Sequence, residues 1–137
     1  MTPKEYLSQY RAAVNKADAA AHHREELRAL AERITPVYGG IGGSTHQIGD
    51  KLGEDVAKII DAESKLSDAI ELLVATQREV ERTIDSVEDE RLRNILYRRY
   101  ICGDKWEVIA VALNIEYRWL LRLHGRALQE VQKKIDH

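Results

Sequence analysis

Residues 106–128 read WEVIAVALNIEYRWLLRLHGRAL and carry the clearest structural signal in this chain of 137 residues. The apolar spacing predicts a short helix of about two turns over residues 106–113. Asn114 is expected to begin a tight turn, because Asn tolerates the left-handed conformation that ends many helices. A longer helix should start at Glu116. A short helix, a tight turn and a longer helix together predict a helix-turn-helix unit.

Helical geometry separates the inner from the outer positions of this unit. Small or apolar side chains are expected at the helix crossing, in the turn and in the core, at Ala110, Ile115, Leu120 and Leu123. The outward positions of the longer helix are then Tyr117, Arg118, Leu121 and Arg122. Trp119 lies at the border between the two sets. The outward side of such a helix is the side that enters the major groove of DNA.

The same stretch resembles the last helix-turn-helix of sigma-factor region four, which reads the −35 promoter element. That family's recurring motif has the form EIA..L.(V/I)S....V..I...AL..L. The corresponding residues here are Glu107, Ile109, Ala110, Leu113, Ile115, Leu120, Leu123, Ala127, Leu128 and Val131. The preceding LRNILYRRYICGDKW is similar to the helix that leads into the motif, so the resemblance spans residues 88–134. Glu116 stands where the family usually has Ser or Thr.

The LHGRAL string, together with a long helical N-terminal part, resembles a narrower group. These are the phage-encoded late-transcription regulators of the RinA-like or ArpU-like kind. The resemblance implies a phage or prophage DNA-binding transcription regulator that recognises double-stranded DNA through helix 116–134, with host RNA polymerase as a second partner. The implied groove contacts are Arg118 and Arg122, with Tyr117 beside them. The implied phosphate contacts are Lys105, Trp106, Arg126, Arg98 and Arg99.

The distribution of charge supports a polyanionic partner. The formal net charge is only −2, but residues 91–137 hold ten Lys and Arg against five Asp and Glu. Residues 1–90 hold eleven against eighteen. A basic C-terminal third on an acidic body is the asymmetry expected when one end of a protein meets nucleic acid.

The N-terminal part is predicted to be helical throughout. Thr2 and Glu5 form the pattern of a capping box, and the first helix should end at Thr35, because the residue before Pro36 avoids the α conformation. Residues 36–50 contain five Gly and predict a flexible loop.

A second helix follows with a heptad seam. Its positions are Leu52, Val56, Ile59, Glu63, Leu66, Ile70, Leu73, Gln77, Val80, Ile84 and Val87. Such a stripe predicts a coiled-coil-like antiparallel hairpin with the first helix. The alternative is a homodimer through the same stripe. The predicted fold is therefore all-α, with a helical hairpin over residues 1–87 and a helix-turn-helix domain over residues 88–137.

Other function classes lack a pattern that could carry them. His22 and His23 point about 100° apart on a helix, so they do not predict a metal site. No catalytic constellation and no cofactor motif is present, and the chain is not expected to be an enzyme. Cys102 is interpreted as a half-buried spectator thiol. The polar start and the short apolar runs predict a cytoplasmic protein without a membrane segment. A protein-interaction module that binds RNA polymerase or another regulator, without specific DNA binding, is the alternative function.

Overall fold

A computed structural model describes the backbone of residues 1–39 and 45–136, and the side chains of residues 1–33 and 49–136. Every regular element in these ranges is helical, so the predicted all-α class is confirmed. The helices are α1 (Pro3–Gly39), α2 (Thr45–Asp85), α3 (Glu90–Leu96), α4 (Trp106–Leu113) and α5 (Tyr117–Ile135). A single π-helical turn, Tyr97–Ile101, continues α3.

The ends of α1 and α2 differ from the expected loop bounds. The predicted capping box is present, because Thr2 N–H donates to Glu5 and Glu5 N–H donates to Thr2 Oγ1, both at 3.1 Å. However, α1 continues through Pro36 to Gly39, and α2 begins at Thr45. Within a last helical turn a proline removes only one intrahelical hydrogen bond. Residues 40–44 of the predicted loop 36–50 lie outside the described residues.

At alternate positions of the predicted seam, the buried residue of α2 is the one that directly precedes the predicted residue. Ala62, Ala69 and Thr76 are buried, whereas the predicted Val56 and Ile70 are 53% and 46% exposed. Leu66, Val80, Ile84 and Val87 are buried as expected. The observed seam therefore alternates large with small side chains. Small residues let two helices approach closely, but they carry a weak hydrophobic signal in a sequence.

The chain divides into two compact units. The core unit comprises Met1–Val14 and Leu73–His137, and the two-helix unit comprises Asn15–Leu72. The domain boundary expected between residues 87 and 88 lies inside the core unit. The start of α1 and the end of α2 pack with the C-terminal helices, so Leu7, Val80 and Ile84 share one hydrophobic core with Ile95, Leu96, Ile109, Leu120, Leu123 and Val131.

Arg11 links the start of α1 to the turn before α4. Its Nη1 donates to the carbonyl of Ile101 at 3.3 Å. Gly103 has a φ of 75°, and a Cβ built on it would lie 2.8 Å from Arg11 Cζ. The left-handed conformation and the close guanidinium both favour glycine at this position.

In the two-helix unit, the segments of α1 and α2 run antiparallel. Arg28 pairs with Glu63. Lys16 and Ala20, which are earlier in α1, line one depression with the later α2 residues Lys65, Asp68, Ala69 and Leu72. Early residues of one segment therefore meet late residues of the other.

Candidate nucleic-acid interface

The turn between α4 and α5 closes as the sequence predicts. Asn114 adopts the left-handed conformation with a φ of 53°. Ile115 N–H donates to the carbonyl of Ala110 at 3.0 Å, and Asn114 N–H donates to that of Val111 at 3.2 Å. This is the bonding pattern of a Schellman motif, in which the last carbonyls of a helix are satisfied by the turn that follows. The tight closure fixes where α5 starts relative to α4.

The inner face of α5 forms the floor of the core unit. The residues buried along it are Leu120, Leu123, His124, Ala127 and Val131. Ala110 and Ile115 are half-buried and pack against this core. The predicted inward positions of the helix-turn-helix stretch are therefore in contact with the core. The opposite side of α5 is left to the solvent.

The outer face of α5 is basic and exposed to solvent. Arg118 and Arg122 are exposed and make no hydrogen bond, ion pair or ring contact with any described residue. Tyr117 and Leu121 are 42% and 40% exposed beside them. Residues 117–129 contain three Arg and no Asp or Glu. This surface can offer guanidinium donors to an anionic partner without first breaking an internal bond.

Arg126 and Trp119 form a pair at one border of that face. Trp119 is half-buried and packs against the core, and the Arg126 guanidinium lies 5.3 Å from the centre of its ring. A cation over an aromatic face is attracted by the ring quadrupole. The ring therefore restricts the exposed Arg126 side chain next to Arg122, while its charge remains open to solvent.

Of the other residues predicted to contact phosphate, some are exposed and others interact with neighbouring residues of the chain. Lys105 is exposed directly before α4. Arg99 Nη1 donates to the carbonyl of Asp104 at 3.0 Å, and its guanidinium lies 4.5 Å from the centre of the Trp106 ring. Arg98 Nη1 lies 3.8 Å from Asp104 Oδ2. Arg98 and Arg99 thus hold the segment that leads into α4, and Trp106 packs against the core.

A buried polar pair connects α5 to the π-helical turn, and the sequence alone did not predict it. Tyr100 and His124 are 4% and 9% exposed, and Tyr100 Oη lies 2.7 Å from His124 Nε2. The Trp106 ring meets the His124 ring edge-on at 4.5 Å. The helical spacing of His124 with Leu120, Ala127 and Val131 was the signal that could have placed it inside.

Burial controls the ionisation of this pair. Burial, with smaller effects of the Lys4 and Arg99 charges, lowers the pKa of His124 to about 4. Burial also raises the pKa of Tyr100 to about 12, against the opposing effect of Arg99. At neutral pH both groups are uncharged, and the tautomer of His124 determines which of the two donates the hydrogen bond.

The stability of the core unit is expected to fall as the pH decreases from about 6.5 to 4. In this window the unfolded chain protonates His124 and the folded chain does not, so proton binding favours unfolding. The shift corresponds to roughly 3 kcal/mol between the two ends of the window. Urea unfolding at several pH values should show this loss in the wild type and a smaller one in H124Q, which keeps polar atoms but does not titrate there. Equal pH dependence in the two proteins would contradict the burial of a neutral His124.

The remaining chemical groups offer no second site among the described residues. Cys102 is exposed rather than half-buried. His22 Nε2 contacts Glu26 at 3.0 Å on one exposed helix face, and no three His, Cys, Asp or Glu side chains of the described ranges gather to hold a metal ion. No helix in residues 1–39 and 45–136 combines the length and apolar character that crossing a bilayer requires.

Comparisons with models of known protein families, with characterised proteins and with solved structures found no match to this chain. The geometry of α4 and α5 and the resemblance of their sequence to a known motif are therefore the basis for inferring function.

Proposed function

We propose that this chain is a DNA-binding transcription regulator with a helix-turn-helix of the sigma region-four type, which reads double-stranded DNA through α5. The observation that carries the proposal is the outer face of α5, where Arg118 and Arg122 are exposed and unpaired. No carboxylate occurs in residues 117–129 to compete with phosphate. The Schellman motif at Asn114 fixes the start of α5 next to the short helix α4.

In this proposal each exposed group has a distinct role. Arg118 and Arg122 reach base edges in the major groove, where a guanidinium can donate two hydrogen bonds to guanine O6 and N7. Tyr117 and Leu121 lie beside them and offer apolar contact to thymine methyl groups. Arg126 and Lys105 meet phosphates and fix the orientation of the helix. Arg98 and Arg99 mainly stabilise the segment before α4, and their positive charges add to the electrostatic attraction of DNA.

The wider biological role is supported by the resemblance alone. We propose a phage or prophage late-gene regulator that acts in the cytoplasm beside host RNA polymerase. In this proposal α1 and α2 form a helical hairpin, and a homodimer would let two copies read two half-sites. We propose no catalytic activity and no cofactor.

A second candidate function is protein binding without specific DNA recognition. It is favoured by apolar side chains on the outer surface of α4, since Val108 is 51% and Val111 is 83% exposed. Leu121 on α5 adds to the exposed apolar surface. A regulator that contacts another protein through these groups would bury them on binding.

The salt dependence of duplex binding separates the two functions. A fluorescein-labelled duplex with a randomised centre is titrated with the protein at about 50 mM and about 200 mM salt, and anisotropy reports binding. Four or more phosphate contacts should reduce affinity roughly 100-fold or more between these concentrations, because condensed counterions are released on binding. Absence of binding at the lower concentration, or affinity independent of salt, would overturn the DNA-binding proposal.

A further inference from the structure

Gly125 lies in the middle of α5 without an internal reason for being glycine. It is exposed, and it is four residues beyond Leu121 on the outward side of the helix. A Cβ built on it meets no atom within 4 Å. Glycine in a helix interior is less stable than alanine, because it loses more backbone freedom on folding. The absence of a side chain at this position leaves the α5 main chain open to close approach by a partner.

The neighbours of Gly125 give its surface a defined chemistry. On a helix, residues three and four positions away surround a given residue. For Gly125 these neighbours are Leu121, Arg122, Leu128 and Gln129. The missing side chain leaves a notch between them, with the α5 main chain as its floor. One wall is apolar at Leu121, and the opposite wall carries the exposed Arg122 and Gln129.

The surface around the notch is positive on both sides. Leu128 and Gln129 also line a shallow depression with Thr2, Pro3 and Lys4 at the start of α1. Lys4 is exposed there. Arg122 and Arg126 lie on the other side, and no carboxylate occurs in residues 117–129. An occupant with an apolar ring and an attached anion fits this pattern, and the deoxyribose-phosphate unit of DNA has both.

We infer that Gly125 is a close-approach point for one strand of duplex DNA. The deoxyribose lies against the α5 main chain at Gly125 and against Leu121, and the adjoining phosphate accepts hydrogen bonds from Arg126 and Gln129. This inference rests on the proposed function and adds a positioning residue to it. A side chain at residue 125 would hold the sugar away from the main chain and misplace the arginines in the groove.

A matched pair of glycine substitutions tests the inference. Gly53 in α2 is also exposed and helical, and a Cβ built on it likewise meets nothing within 4 Å. Both G125A and G53A are expected to raise the melting temperature by a few degrees, measured by circular dichroism, because each removes a helix-weakening glycine. Duplex affinity, measured by anisotropy with the randomised duplex, should fall roughly tenfold for G125A, equivalent to the loss of one or two hydrogen bonds, and remain unchanged for G53A.

Three other results would contradict the inference. If G125A binds the duplex as tightly as the wild type, the inference fails while the proposed function stands. If G125A lowers the melting temperature, Gly125 serves internal packing and the inference fails as well. If the wild type does not bind the duplex, the proposed function fails and the inference fails with it.

Discussion

The double variant R118A/R122A is expected to lose duplex binding by 100-fold or more while keeping its fold. Both side chains are exposed and make no hydrogen bond, ion pair or ring contact with a described residue, so their removal should change the free energy of unfolding by less than about 0.5 kcal/mol. Each guanidinium that forks onto a guanine contributes roughly 1–3 kcal/mol of discrimination against a wrong base. Anisotropy with the labelled duplex measures the binding, and circular dichroism measures the fold.

The control for this variant is R33A/R78A, which removes the same charge from two exposed positions on α1 and α2. If overall charge alone attracts DNA, the two double variants will weaken binding equally. If α5 reads the duplex, R33A/R78A will bind within a few-fold of the wild type. Survival of binding in R118A/R122A would show that these arginines are not the readers.

Replacing Leu7 with alanine is expected to lower the stability of the core unit by about 2–5 kcal/mol, the range for deleting a buried leucine side chain. Leu7 belongs to α1, yet it is fully buried in the same core as Ile109 and Leu120. Trp106 and Trp119, the only two tryptophans, both belong to the core unit, so intrinsic fluorescence reports its unfolding. Urea titration followed by this fluorescence should show a lower midpoint for L7A.

Leu72 provides the matched control, because it is a leucine of α2 that is 49% exposed. L72A should shift the fluorescence midpoint little. If L7A shifts it no more than L72A does, the C-terminal helices fold without the start of α1.

A fragment of residues 88–137 should be less helical than the same residues in the whole chain, because it lacks the core residues Leu7, Val80 and Ile84.

The sequence was sufficient to predict the bounds of α4 and α5 and the turn between them, because several independent signals coincide there. Asn114 supplies the left-handed turn residue, and Leu120 and Leu123 repeat at helical spacing. The outward position of Arg118 and Arg122 follows from that spacing. Local patterns of this kind depend on neighbours within one or two turns, so they can be recognised without knowing the rest of the fold.

The parts that were not predicted depend on packing between distant segments. The register of α2 is set by Ala62, Ala69 and Thr76, whose small size matters only when a second helix lies against them. The two compact units group residues 1–14 with residues 73–137, which no local pattern indicates. His124 is buried because Tyr100 offers it a hydrogen-bond partner from another element.

Mapping which residues respond to duplex DNA tests the proposed function most directly. Backbone amide resonances of the nitrogen-15-labelled protein are followed while an unlabelled duplex with a randomised centre is added at low salt. We expect the largest shifts in residues 117–129 of α5, with smaller shifts near Lys105 and Lys4. Shifts concentrated around Val108 and Val111, or no shift along α5 at a concentration that saturates the protein, would contradict recognition of DNA through this helix.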